Sequence, residues 1–308
     1  MNVGNALKVT CVGFAGGILL RMVQLLFFFD YETGFYTDSG VMAWICTGFV
    51  VLTAVLAIVM CFRDRRSFGR YSAGKNNLAG AVGAASGLVL IAAAVMQLMD
   101  YLNYQTQNYG ASDAQEYGVL HTAFLICCFA FGAVQLFVSS GFFLGRNSLS
   151  KVPLLYLVAV LWGVSYLVLV YVFYAKASSF TENFFAVIGG VTTLMALFYL
   201  CKLFAGVDEE GAAKRFYVTG IASVILTMTY SVSNLALMLL GKSYIGEIPT
   251  SVQLASLAVS LFLLAFLFTF KKDSIRRPGK PAQAEGAAAS PQAPRDARKP
   301  RARRFRAD

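Results

Sequence analysis

Arg21 stands near the middle of an otherwise apolar stretch, Lys8 to Phe29. An arginine at the centre of a membrane span costs about 2.5–3.5 kcal/mol on insertion scales, so it needs a partner. Gly13, Gly17, Arg21 and Gln24 recur at helical spacing and share one face of that stretch. None of the sixteen Asp and Glu residues lies mid-span. Three partners are open to Arg21. Backbone carbonyls, Gln97 or Gln135 could accept from it. It could snorkel outward to Asp100. Or it could hold an anionic ligand group, because a guanidinium matches the oxygens of a carboxylate or phosphate.

Further polar residues form stripes inside apolar stretches. His121, Cys128, Gln135 and Ser139 follow one another at steps of seven, seven and four. Thr219, Ser223, Thr227, Tyr230 and Asn234 make a second stripe, and Gln253, Ser256 and Ser260 a third. Polar faces within a bilayer turn toward protein or water. The candidate ligand-binding set is therefore Arg21, Gln24, Gln97, Asp100, His121, Tyr230 and Asn234. His121 is the only histidine and, alone near the outer surface, makes a poor metal site. It reads as a satisfied interfacial histidine or, beside Asp100 or Glu116, as a proton-responsive one. No metal ligand set, no cofactor site and no catalytic residue is expected. HExxH, GxSxG and phosphate-binding-loop patterns are missing, so the chain reads as a non-enzyme.

The elements that must position these residues are membrane helices. The 308 residues are 57% hydrophobic and only 14% charged, against about a quarter charged in soluble domains. Eight stretches are long enough to cross a hydrocarbon core of about 30 Å: Lys8–Phe29, Gly40–Phe62, Leu78–Met99, Gly118–Leu144, Val152–Ala175, Asn183–Phe204, Phe216–Leu240 and Ser251–Phe270. The fold class is thus all-α, a polytopic bundle of eight spans over residues 1–270. The first stretch reads as a retained span, since Arg21 interrupts it and no small-x-small cleavage site follows.

Charge orients the bundle. With the N-terminus inside, 23 lysines and arginines fall in inner segments, and only Lys176 and Lys242 in outer loops. The positive-inside rule then places both termini in the cytoplasm, and the plasma membrane is the expected location. Under this topology Gln24, Gln97, Asp100, His121, Tyr230, Asn234 and Gln253 fall in the outer half of the bilayer. Small residues such as Gly80, Gly83 and Gly87 fall in the inner half, where they allow close helix approach. The bundle is expected to be tight inside and polar outside. Tyr31, Phe35, Tyr36, Tyr101, Tyr104, Tyr109, Tyr117, Tyr171, Phe173, Tyr174 and Phe180 line the outer rim as an interfacial belt or a stacking surface.

The tail, residues 271–308, carries twelve Lys/Arg against four acids and five of the seven prolines. It is expected to be disordered and to suit anionic lipids rather than any specific nucleic acid. The segments Phe35–Asp38 and Ser179–Glu182 occupy equivalent places, so halves 1–150 and 151–270 read as a 4+4 tandem duplication. All six cysteines lie in or at the ends of spans, in no CxxC pair, and read as small hydrophobes. The expected partners are the lipid bilayer and a small anionic or polar ligand. The expected role is binding or transport of a small polar or anionic solute or lipid headgroup through an outward-facing site. The alternative is a non-transporting scaffold or sensor subunit.

Overall fold

The computed structural model describes residues 2–31, 33, 35–63, 74–107, 113–149, 152–174, 184–242 and 248–273. Among them are eight helices long and apolar enough to cross a membrane, and the chain is an integral, multi-pass membrane protein. They are built on α1 (Asn2–Phe27), α2 (Val41–Arg63), α3 (Asn77–Gln107), α4 (Asp113–Leu144), α5 (Leu157–Leu169), α6 (Gly189–Phe204), α7 (Glu209–Leu239) and α8 (Thr250–Asp273), the fifth and sixth spans reaching full length as Pro153–Val172 and Phe184–Phe204. A 3₁₀ turn, Pro153–Tyr156, leads into α5, which continues as a π-helical turn, Val170–Tyr174. A second π turn, Phe184–Ile188, leads into α6. The expectations for residues 274–308 and for Ser179–Glu182 fall outside the described residues, as do those for Glu32, Arg65, Arg66, Arg70, Tyr109, Lys176, Phe180 and Glu247.

Local sequence explains the helix ends. Pro153 starts its turn where a missing N–H costs nothing. Asp38 caps α2, its carboxylate accepting from Gly40 N at 3.0 Å and Met42 N at 2.7 Å. Asn76 caps α3 through Oδ1, 3.0 Å from Ala79 N. Gly145, at φ +66°, closes α4 in the left-handed conformation that glycine adopts without penalty. Helix α7 begins at Glu209 rather than near Phe216. Its first two turns are amphipathic, with Glu209, Glu210, Lys214 and Arg215, so hydropathy alone hides them. Asp208 anchors that start, 3.8 Å from Lys202 Nζ and 4.0 Å from Arg215 Nη1.

The loop after α1 is a compact turn. Phe29 and Tyr36 form an antiparallel bridge, Asp30 N donates to Phe35 O at 3.0 Å, and Thr37 N to Phe28 O at 3.1 Å. Thr33 Oγ1 closes the turn on Asp30 Oδ2 at 2.6 Å. Tyr31 donates to the Leu25 carbonyl at 2.6 Å and packs edge-on against Phe29, as does Tyr36. Lys242 lies 4.9 Å from the Tyr31 ring centroid, tying this turn to the end of α7. Tyr31 and Tyr36 thus hold the loop together, while Phe35 and Tyr171 are exposed.

Helices α3 to α8 pack each on the next, and α8 returns to α3, closing a ring. The α1–α2 pair packs outside that ring on α7. Helices α7 and α8 are its most enclosed members, 78% and 72% buried across their apolar windows against 33–50% for the rest. Within the first half α2 packs on α1, and in the second α6 packs on α5; both also touch α7. The end of the ring near Gly145 and Asp208 is filled with aromatic side chains. Phe204 stands edge-on to Tyr156 at 5.0 Å and to Phe266 at 5.7 Å, and Phe266 meets Phe216 at 5.4 Å and Phe142 at 5.9 Å. Each such pair adds about 0.5–1.5 kcal/mol beyond its buried area. Nearby, α3 and α4 approach closely. A Cβ on Gly87 would stand 2.9 Å from the Gly132 carbonyl oxygen, and one on Gly80 2.9 Å from Phe143.

Candidate functional site

The glycine–arginine face of α1 packs against α7, and the two helices run parallel and in register. A Cβ on Gly13 would lie 3.5 Å from Ile225, and one on Gly17 only 2.5 Å from Thr229 Oγ1. Leu25 clusters with Leu237. The offset between the helices is the same at all three places, so Arg21 lies level with Ser233. The missing side chain at Gly17 allows the close approach to α7, while Gly13 packs most tightly on Thr53 of α2.

Arg21 is wholly buried. Its Nη1 donates to Gln24 Oε1 at 3.4 Å. Its Cζ lies 5.2 Å from the ring centroid of Phe185, in the π turn before α6, and 5.8 Å from that of Tyr230 on α7. Contacts of this kind are worth about 2 kcal/mol when desolvated. Neither glutamine proposed from the sequence reaches Arg21. Gln97 bonds to His121 and Ser251, and Gln135 accepts from Tyr156 at 3.3 Å. Asp100 is exposed near the end of α3 and does not meet Arg21 either.

Several polar groups in the α1–α7 seam are buried with unspent hydrogen-bonding capacity. Gln24, Thr229 and Ser233 are each 0% exposed. Among the described residues, Gln24 Nε2, Thr229 Oγ1 and Ser233 Oγ have no hydrogen-bond partner. Thr229 and Ser233 sit four residues apart, on the α7 face that meets α1. Buried polar groups are paired in the great majority of cases. The seam therefore holds a buried cation, two aromatic walls, an amide donor and two hydroxyls free to donate or accept.

The seven sequence-derived candidates divide between two neighbourhoods and the surface. Arg21, Gln24 and Tyr230 come together. Asn234, also wholly buried, follows one turn after Tyr230 on α7. Gln97 and His121 pair with each other between α3 and α4, and Ser251 of α8 joins them. Asp100 stands apart. Members of the remaining stripes bond to neighbouring helices. Thr193 bonds to Ser223 at 2.7 Å, Thr227 to Ser260, and Trp162 Nε1 donates to Cys128 Sγ at 3.1 Å. Phe185, Thr229 and Ser233 are absent from the sequence-derived set. The Thr229–Ser233 spacing was a usable signal, hidden by the stronger Ser223–Thr227–Tyr230–Asn234 stripe on adjacent faces of the same helix.

Among the described residues no cluster of three His, Cys, Asp or Glu could hold a metal ion, and all six cysteines are free. No protein family, curated protein or solved structure matches this chain.

Proposed function

We propose that this membrane protein binds, and as a carrier moves, a small polar or anionic solute or lipid headgroup in the α1–α7 seam. The observation that carries the reading is that Gln24, Thr229 and Ser233, in the same helix seam as the buried Arg21, are wholly buried and each keep an atom with no hydrogen-bond partner among the described residues. A closed structural seam would gain by replacing these groups with apolar ones, since an unsatisfied buried polar group costs about 1–3 kcal/mol. A ligand with acceptor oxygens repays that cost when bound. Phe185 and Tyr230 wall the site, and Arg21 supplies the charge. The role is binding rather than catalysis.

The distribution of basic residues supports a plasma-membrane protein with both termini cytoplasmic, its tail beside anionic lipids. In that orientation the seam lies in the outer half, because Arg21 is within about two turns of the α1 end that meets the first loop. The test is a thermal-stability screen of purified protein against acetate, inorganic phosphate, glycerophosphoglycerol and N-acetylglucosamine. A probe that binds only the folded state adds about 2.7 kcal/mol at a hundredfold excess over its Kd. The stabilisation should vanish in Arg21→Ala and weaken in Ser233→Ala. If no probe stabilises the wild type, the binding role fails and a scaffold or sensor role takes its place.

A further inference from the structure

The geometry points to a proton-binding site at His121 that is read out by Gln97 and Ser251 and that sets how the first turn of α8 docks on α3 and α4. The three residues come from three helices and are 1%, 1% and 0% exposed. Ser251 Oγ donates to Gln97 Oε1 at 2.6 Å, and Gln97 Nε2 meets His121 Nδ1. An amide nitrogen can only donate, so Nδ1 must accept and the ring proton resides on Nε2. The direction of the chain is therefore fixed: Ser251 to Gln97 to His121.

A proton added to Nδ1 sets N–H against N–H₂. A half-turn of the Gln97 amide relieves this. Its Oε1 then accepts from Nδ1–H, and its Nε2 donates to Ser251 Oγ, which must redirect its own hydroxyl. One proton thus reverses a chain spanning α4, α3 and α8. The far end is sensitive, because Gln253 Nε2 holds the Ile248 carbonyl at 2.6 Å just before α8.

Among the described residues, the following ionisable groups lie on the helices that pack around His121. From α3, Tyr101 lies beside Gly118, a turn from His121, and a Cβ on Gly118 would stand 3.0 Å from its hydroxyl. Asp100 is exposed on the same helix. From α5 comes Tyr166, bonded to Ser256. Between Ile248 and Ser256, α8 and its lead-in carry no charged residue. On α4, Asp113 and Glu116 precede His121 in sequence. His121 is the titratable member of the chain itself.

The protein has one histidine, so ¹⁵N-histidine labelling yields a single pair of ring nitrogen resonances. At neutral pH, Nε2 should be protonated and Nδ1 bare. On acidification both become protonated, and backbone hydrogen exchange over residues 248–256 should rise about tenfold after correction for intrinsic rates. His121→Asn, whose amide oxygen stands where Nδ1 accepts, should keep exchange over 248–256 independent of pH. In Gln97→Leu the histidine should still titrate, with exchange at 248–256 no longer following it. A protonated Nδ1 at neutral pH overturns the proposal. So does an equal pH response of residues 248–256 in wild type and either variant.

Discussion

Replacing Ser233 with alanine should make the protein more stable and a poorer binder. Ser233 is wholly buried on the α7 face that meets α1, and its hydroxyl bonds to nothing among the described residues. Such a group carries a desolvation penalty of about 1–3 kcal/mol. Removing one oxygen forfeits only a few dispersion contacts, each about 0.1–0.2 kcal/mol. The net expectation is a gain of about 1 kcal/mol. Denaturant titration in detergent can read it, because Trp162 is buried and changes environment on unfolding. The same substitution removes one of the seam's hydroxyls, so binding of any stabilising probe should weaken. A loss of about 1 kcal/mol or more in stability would show that the hydroxyl is spent inside the fold. The reasoning for the seam would then fail.

Other substitutions test the elements that position it. Gly87→Ala drives a Cβ into the Gly132 carbonyl oxygen, which cannot move without the backbone, and should destabilise the protein by about 1–3 kcal/mol in the same titration. Gly48→Ala on α2, where nothing lies within 4 Å, should be tolerated and slightly stabilising, since alanine exceeds glycine in helix propensity by about 1 kcal/mol. Asp38→Ala removes the cap of α2 and should cost about 0.5–2 kcal/mol, read by thermal denaturation.

The sequence showed the spans because each is a local property, an apolar run of bilayer length. Gly13, Gly17 and Arg21 were legible as one helix face for the same reason. What crosses from one helix to another was not legible. Periodicity says that Arg21 and Thr229 each lie on a face, but not that the two faces meet in register. The partners of Gln97 and Gln135 likewise depend on how α3, α4, α5 and α8 are set against one another. The π turns flanking α5 and α6 were also hidden, since their residues, Val170–Tyr174 and Phe184–Ile188, are as apolar as the helices they extend. Yet the second of them carries Phe185 to Arg21.

The central claim is that the α1–α7 seam binds a ligand, and Gln24 gives its most direct test. Its amide nitrogen is buried and unspent, while its oxygen accepts from Arg21. The measurement is equilibrium dialysis of the best stabilising probe with wild type, Gln24→Leu and Asp100→Asn. We predict Kd about tenfold weaker in Gln24→Leu, the loss of roughly one hydrogen bond, and unchanged in Asp100→Asn. An unchanged Kd in Gln24→Leu would contradict the account and place the ligand elsewhere.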